Sequence, residues 1–210
     1  MKAILRHSYG SADVLQLQDV DKPTPESNEV LVKIKAASVT AADVMMRAGT
    51  PLFGRLFLGV FKPTQAGLGT GFSGTIESTG SDAKRFSKGD EVFGEVLLGA
   101  GTNAEYVCVN QDELIFAKPT NMSHTQAASL GDGAVTSMNF LNNVVRVGYG
   151  DRVLINGASG SLGTAAVQIA KQQGAHVTAL CSAKNADLVM SLGADIVIDY
   201  TGNSLQAQLD

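Results

Sequence analysis

The chain has 210 residues, of which 44% are hydrophobic and 17% charged, a balance typical of a folded globular protein that excludes a disordered chain. Its formal net charge of −4 at pH 7 argues against nucleic acid or an anionic membrane as a partner and favours a small-molecule ligand. The N-terminal segment lacks the apolar core of a signal peptide, and only two cysteines occur, so we expect a cytoplasmic protein with reduced thiols.

The first part of the chain reads as short strands separated by glycine and proline. In residues 29–38, apolar side chains alternate with two lysines, which predicts a strand with one buried face. Residues 40–48 are predicted to form a helix that ends at Gly49. The apolar segment 51–61 is interrupted by an arginine and is far shorter than the ~20 residues that a membrane span requires. It is predicted to form a pocket wall or a subunit contact.

The chain changes class after Pro119. Ser123 and Gln126 have the spacing of a capping box, which predicts that a helix begins there. A second helix is predicted from an apolar stripe over residues 134–145, formed by Ala134, Met138, Leu141 and Val145. From Arg152 onward, strands and helices alternate as β-α-β-α-β, which predicts a parallel sheet with right-handed crossovers.

The turn after the strand RVLIN is the most informative segment of the chain. Glycines at 157, 160 and 163 follow this strand and precede residues with helical periodicity. Their spacing, G-x-x-G-x-x-G, is looser than the usual motif, so the flanking strand and helix are needed to identify it. Small residues let the backbone approach a pyrophosphate, whereas a plain strand–helix turn needs at most one glycine. The predicted pyrophosphate site comprises Gly157, Ala158, Ser159, Gly160, Ser161, Leu162 and Gly163.

The end of the next strand indicates which dinucleotide binds. A site for NADH normally carries Asp or Glu there, but this chain has Cys181 and Ser182, and no carboxylate follows before Asp187. Ser182 and Lys184 offer donors to a 2′-phosphate, which predicts NADPH over NADH by about ten- to several-hundred-fold. The alternative is that Lys184 is a solvated residue and Ser182 only a helix cap. Tyr200, at the end of the third strand, either reaches the adenine side or simply packs.

Five segments together resemble the medium-chain dehydrogenase/reductase superfamily and, within it, the zinc-free, zeta-crystallin-like quinone oxidoreductase branch. The resemblance covers all 210 residues. It implies an α/β protein with a GroES-like β domain over residues 1–121. Residues 122–210 would supply linker helices and the first half of a Rossmann domain, a doubly wound parallel sheet, with the nicotinamide bound between the two domains. The segments are VTAADVMMRAG around residue 45, RFSKGDEVFG at 85–94, NAEYVCV at 103–109, NGASGSLGTAAVQIAKQQGAHVTALCS at 156–182 and SLGADIVIDY at 191–200.

The resemblance also implies roles for single residues. Thr136 matches the family's threonine beside the nicotinamide, and Thr40 stands where many members have an asparagine that faces the same ring. Met45 stands where some relatives carry an active-site tyrosine, and because methionine cannot donate a proton the catalytic residue is unknown. The predicted cofactor contacts beyond the glycine turn are Thr40, Thr136, Ser182, Lys184 and Tyr200, and the predicted substrate pocket comprises Met45, Phe53 and Phe57.

The expected activity is hydride transfer from NADPH to a quinone or another activated enone or carbonyl, without metal. Gly69, Thr70 and Gly71 stand at the family's zinc-ligand motif, and no cysteine lies near residue 40, so a zinc site is not expected.

The length of the chain supports an alternative. A doubly wound domain has six strands, whereas this sequence stops after the third, with a further helix predicted to begin over 205–210. On the order of 100 residues of the family's fold are therefore expected to be absent. The alternative is a truncated, catalytically silent fragment that binds nucleotide or self-associates. In the family the later residues often supply homodimer contacts, which such a fragment would lose.

Overall fold

The computed structural model describes residues 1–96 and 101–202, and the chain divides into two compact units, residues 1–131 and 132–210. The helix predicted over 205–210 lies outside the described residues. In the described part of the chain, none of the helices has the length and apolar character of a membrane span.

The first unit contains two antiparallel sheets in its described residues. One pairs β1 (Lys2–Leu5) with β2 (Gln16–Asp19). The larger sheet has the spatial order β6-β3-β4-β5-β7 and comprises β3 (Glu29–Ala37), β4 (Gly71–Thr79), β5 (Glu91–Glu95), β6 (Tyr106–Asn110) and β7 (Ile115–Ala117).

Strand β3 is more buried than its alternating pattern predicts. Val30 and Val32 are fully buried, as expected, but Leu31 on the opposite face is only 3% exposed. Alternation begins at Lys33, which is exposed. Periodicity predicts the face that packs on the sheet's own core, but it carries no information about what covers the other face of a central strand. The core of this unit is formed by Val30, Val32, Phe72, Ile76, Ala83, Phe86, Val92, Val96, Val107, Val109 and Ile115.

Three α-helices accompany these sheets in the described residues of the first unit. Helix α1 (Ala41–Ala48) begins after Thr40 and ends at Gly49, which has a φ of 66°, as predicted. A 3₁₀ turn over Leu52–Gly54 leads into the short helix α2 (Arg55–Leu58). Helix α3 (His124–Ala128) follows after β7.

The start of α3 has the predicted capping box. The Ser123 N–H donates to Gln126 Oε1 at 2.9 Å, and the Gln126 N–H donates to Ser123 Oγ at 3.3 Å. His124 Nε2 lies 3.1 Å from Glu91 Oε1, which joins α3 to β5. Helix α3 also packs on β3 and β4, so the first unit extends to residue 131, whereas the boundary expected from the sequence lies after residue 121.

The second unit contains, in its described residues, a parallel three-stranded sheet. Strands β8 (Arg152–Asn156), β9 (His176–Cys181) and β10 (Ile196–Asp199) lie in the order β10-β9-β8. The predicted β-α-β-α-β alternation and the parallel sheet are confirmed. The helix that joins β8 to β9 and the helix that joins β9 to β10 pack on one face of the sheet through Ile155, Ala158, Val167, Ala170, Val177, Ala179, Cys181 and Val189.

The helix predicted over residues 134–145 is irregular. A short helix, α4 (Thr136–Asn139), lies between π turns over Gly131–Val135 and Phe140–Val144. Leu141 is 7% exposed, but Met138 and Val145 are 51% and 65% exposed, so the predicted apolar stripe does not form one buried face. The reason is that each π turn adds a residue to the helical repeat and rotates the residues beyond it away from the 3.6-residue stripe.

Candidate functional site

The turn between β8 and helix α5 (Ser161–Gln172) is open on one side and closely packed on the other. Gly157 follows β8 with a φ of 74°, and a Cβ added there would meet nothing within 4 Å. At Gly163, an added Cβ would lie 2.2 Å from Gly157 O and 2.6 Å from Ala158 Cα. Gly163 therefore lets α5 lie against the end of β8, as the third glycine of a dinucleotide-binding turn does.

The first turn of α5 presents backbone donors. Gly160 precedes the helix in an extended conformation, and its N–H donates to Gly157 O at 3.0 Å. Ala158 is fully buried, and its N–H donates to Leu180 O at 2.9 Å, which ties the turn to the end of β9. The first N–H groups of an α-helix have no acceptor within the helix, and the helix dipole is positive at this end. The turn therefore fits a pyrophosphate group.

Side chains join the glycine turn to the turn that follows β9. Asn185 Nδ2 donates to Ser159 Oγ at 3.0 Å and lies 3.3 Å from Ser182 Oγ. The structure thus brings together two of the predicted site residues. Lys184 lies in the same 3₁₀ turn, Ala183–Asn185, and is exposed. Helix α6 (Ala186–Ser191) begins directly after this turn.

The carboxylate of Asp199 also lies at this turn, although its position in the sequence does not predict that it would. Asp199 Oδ1 accepts hydrogen bonds from the N–H of Ala183 at 3.1 Å and from the N–H of Thr201 at 2.9 Å. Hydrogen bonds from the Thr201 hydroxyl and N–H hold the pKa of Asp199 below its usual range. In the parallel register Asp199 lies opposite Cys181, so strand pairing is the signal that locates this residue. Tyr200, the next residue, is 57% exposed.

The helical segment before β8 contacts the first turn of α5. Ser137 is 4% exposed, and its Oγ donates to Leu162 O at 2.8 Å. A Cβ added to Gly133 would lie 2.7 Å from Ser161 Oγ, so the two backbones approach closely. These contacts hold α4, and with it the partly exposed Thr136, beside α5. Neither Gly133 nor Ser137 is predicted from the sequence to be a site residue.

In the first unit, Thr40 has a structural role of its own. Its N–H and its hydroxyl both lie within hydrogen-bond distance of Asp43 Oδ2, at 2.7 Å and 3.1 Å, so Thr40 caps α1. Met45, Phe53 and Phe57 are exposed, at 52%, 70% and 76%. Phe57 lines a cavity of about 230 Å³, and Met45 and Phe53 do not line that cavity.

The positions of the family's zinc motif hold two glycines and a buried hydroxyl, and Gly71 is the first residue of β4. Gly69 has a φ of 97°, and Thr70 is 6% exposed with no hydrogen-bond partner for its Oγ1. Across residues 1–96 and 101–202, no group of three or more His, Cys, Asp or Glu side chains is arranged to hold a metal ion. The absence of zinc from this protein stays a prediction.

Comparison with known proteins finds similarity over the whole chain. Residues 26–120 match the alcohol dehydrogenase GroES-like domain. The human mitochondrial NAD(P)H oxidoreductase RTN4IP1 is 41% identical over 226 residues, which cover 100% of this chain and 56% of that protein.

Solved structures show the same fold. The quinone oxidoreductase from Coxiella burnetii has a TM-score of 0.86 and 33% identity over 99% of this chain and 64% of that one. The Escherichia coli quinone oxidoreductase complexed with NADPH has a TM-score of 0.86 and 26% identity over 100% of this chain and 61% of that one. The chain thus spans about 56–64% of the length of these proteins.

Proposed function

Because this chain belongs to the quinone oxidoreductase branch of the medium-chain dehydrogenase/reductase superfamily, we propose that it binds NADPH and passes a hydride to a quinone or another activated enone or carbonyl, without a metal. The observation that carries the proposal is the turn after β8, where Gly157 is open to a ligand and Gly163 seats α5 against the strand. The compartment is a separate prediction, since the sequence favours the cytoplasm whereas the human relative is named as mitochondrial.

The second unit would hold the dinucleotide through its phosphates. The first-turn N–H groups of α5 would bind the pyrophosphate, and Ser182 and Lys184 would bind a 2′-phosphate. The bound dinucleotide would supply the hydride from its nicotinamide ring. Thr136, held beside α5 by the Ser137–Leu162 hydrogen bond, would contact that ring. The protein's own contribution would be to position the reactants and to exclude water.

The preference between NADPH and NADH depends on two charges at the turn after β9. Lys184 is exposed and forms no ion pair with any described residue, so its ammonium is available to a 2′-phosphate. Asp199 would repel the same phosphate, but its Oδ1 already accepts hydrogen bonds from Ala183 and Thr201. These bonds stabilise the ionised carboxylate, whose charge opposes a 2′-phosphate, so the proposed preference for NADPH depends on Lys184 and Ser182.

Lys184→Ala is expected to weaken NADPH binding by about ten- to 100-fold while changing NADH binding by less than about threefold, because only NADPH carries the 2′-phosphate. Fluorescence titrations with both dinucleotides measure the two affinities. Lys171→Ala is the matched control: Lys171 is a lysine of the same unit paired with Asp195, and its removal should change neither affinity. An equal loss for NADPH and NADH would contradict the role given to Lys184.

The hydride transfer is tested by the loss of NADPH absorbance with a panel of quinones and enones, run beside the binding titration. Turnover with either class supports the proposed activity. Measurable NADPH binding without turnover on any member of the panel contradicts the activity and favours the second candidate.

The second candidate function is a catalytically silent chain that binds nucleotide or associates with copies of itself. One observation favours it. Among the described strands, β8 pairs only with β9, which leaves its other edge unpaired. Leu154 and Ile196 both lie beside Thr178 on one face of this sheet and are 56% and 44% exposed. An unpaired edge next to exposed apolar side chains favours self-association.

A further inference from the structure

A buried arginine in the first unit has no anionic partner among the described residues. Arg6, directly after β1, is only 3% exposed. Its Nη1 donates to Met46 O at 2.6 Å, and its Nε has no hydrogen-bond partner. None of the ion pairs in the described part of the chain includes Arg6. Because a buried cation without a counter-charge is costly, arginines at this depth ordinarily face an anion.

Arg6 also shares an aromatic ring with a second arginine. The Cζ atoms of Arg6 and Arg55 lie 5.2 Å and 4.5 Å from the centroid of the Tyr9 ring. Arg55, like Arg6, donates to backbone carbonyls, with its Nε 2.9 Å from Gly49 O. Two guanidinium groups around one ring repel each other, and burial lowers the pKa of Arg6. A bound anion would offset this repulsion.

Two cavities share Arg6 and Thr64 in their walls. The cavity of about 230 Å³ has mixed walls: the apolar side chains of Met46, Phe57, Leu58 and Leu68 lie beside Arg6, Thr64 and Gln65. The other, of about 290 Å³, is lined by Arg6, His7, Lys62, Pro63, Thr64 and Ala66. None of the described residues that line either cavity is acidic.

The sequence around these cavities is likewise basic and free of acidic residues. The segment between Asp43 and Glu77 contains three basic residues and neither Asp nor Glu, although the whole chain has a net charge of −4. The three are Arg47, Arg55 and Lys62.

We propose that Arg6, together with His7, Lys62 and Thr64, binds a small oxyanion, a carboxylate or phosphate group, whose attached apolar portion occupies the neighbouring cavity. A guanidinium presents donors in a planar fork that matches the oxygens of either group. The site shares no residue with the glycine turn or with Lys184, so it does not depend on the proposed dinucleotide binding; of the predicted substrate pocket, only Phe57 lines the neighbouring cavity.

The test is a calorimetric titration of the 210-residue chain, without dinucleotide, against inorganic phosphate and, separately, against acetate and hexanoate. The wild-type chain is expected to bind at least one of them at millimolar concentrations. Hexanoate binding more tightly than acetate identifies a carboxylate with an apolar portion, whereas phosphate binding more tightly than both identifies a phosphate group.

Arg6→Met is expected to lower the affinity by about ten- to 100-fold, since it removes one or two charged hydrogen bonds. The variant should remain folded, because methionine fills similar space and removes an unpaired buried charge. Lys62→Met, at an exposed position, should lower the affinity by about threefold and provides a second readout if Arg6→Met fails to fold.

Arg85→Met is the matched control. Arg85 also lies over an aromatic ring, Phe86 at 5.1 Å, and donates to the Ile115 carbonyl, but it lines neither cavity. The proposal predicts wild-type anion affinity for this variant. It is overturned if the wild-type chain binds none of the three anions, or if Arg6→Met and Lys62→Met bind as tightly as the wild type.

Discussion

Cys108 in β6 and Cys181 in β9 are free thiols whose surroundings suppress ionisation. Burial, followed by the negative charges of Glu29 and Glu26, raises the pKa of Cys108 from 9.0 to about 11. Burial and Asp199 also raise the pKa of Cys181. The thiolate is the reactive form of cysteine, so neither thiol has the character of a nucleophile.

At pH 8, Cys108 in the folded chain is expected to react with iodoacetamide about 100-fold more slowly than in urea, because the thiolate fraction falls tenfold for each unit of pKa. Peptide mapping after timed quenching measures the rate at this residue. The protonated thiol favours the folded state below pH 9, and this contribution is lost as the pH rises from 9 toward 11. Equal rates in the folded and urea-unfolded chain would refute the raised pKa.

At the scale of elements, the unit formed by β8, its turn and α5 was predictable because its signals are local. A strand-like apolar run, glycines at fixed spacing and helical periodicity all lie within residues 152–173, and each acts over a few neighbouring residues. The capping box at Ser123 is equally local. The segment 131–144 was predicted less well, since its π turns are not visible in a 3.6-residue pattern.

Gly163→Ala is expected to lower the free energy of unfolding by about 1–3 kcal/mol, because its Cβ would overlap Gly157 O and Ala158 and push α5 from the strand. Gly160→Ala is the matched comparison: its Cβ would lie 3.3 Å from Gly157 O, and its φ of −80° suits alanine. We expect a cost below about 1 kcal/mol there. Urea unfolding followed by circular dichroism measures both, and equal costs would argue against the close packing at Gly163.

At the scale of the whole molecule, the exposed face of the parallel sheet that carries Leu154 and Ile196 offers a test between the two candidate functions. Leu154→Lys is expected to weaken any self-association at least about tenfold, since a lysine on this face must lose its hydration in the contact. Sedimentation velocity over a range of concentrations measures the effect. Leu188→Lys, at a residue of α6 that is 48% exposed, is the control. A wild-type chain that stays monomeric throughout would eliminate self-association as the function.

The strands, most helices, the glycine turn and the family resemblance can be predicted from local patterns, because they depend on neighbouring residues and their periodicity. Only the tertiary structure placed Asp199 at Ala183, Asn185 at Ser159 and Ser137 at Leu162. It also placed Arg6 and Arg55 on the ring of Tyr9, beside the walls of a cavity. These contacts join residues that are distant in the chain, and strand order, register and packing decide them, none of which is encoded in a local pattern.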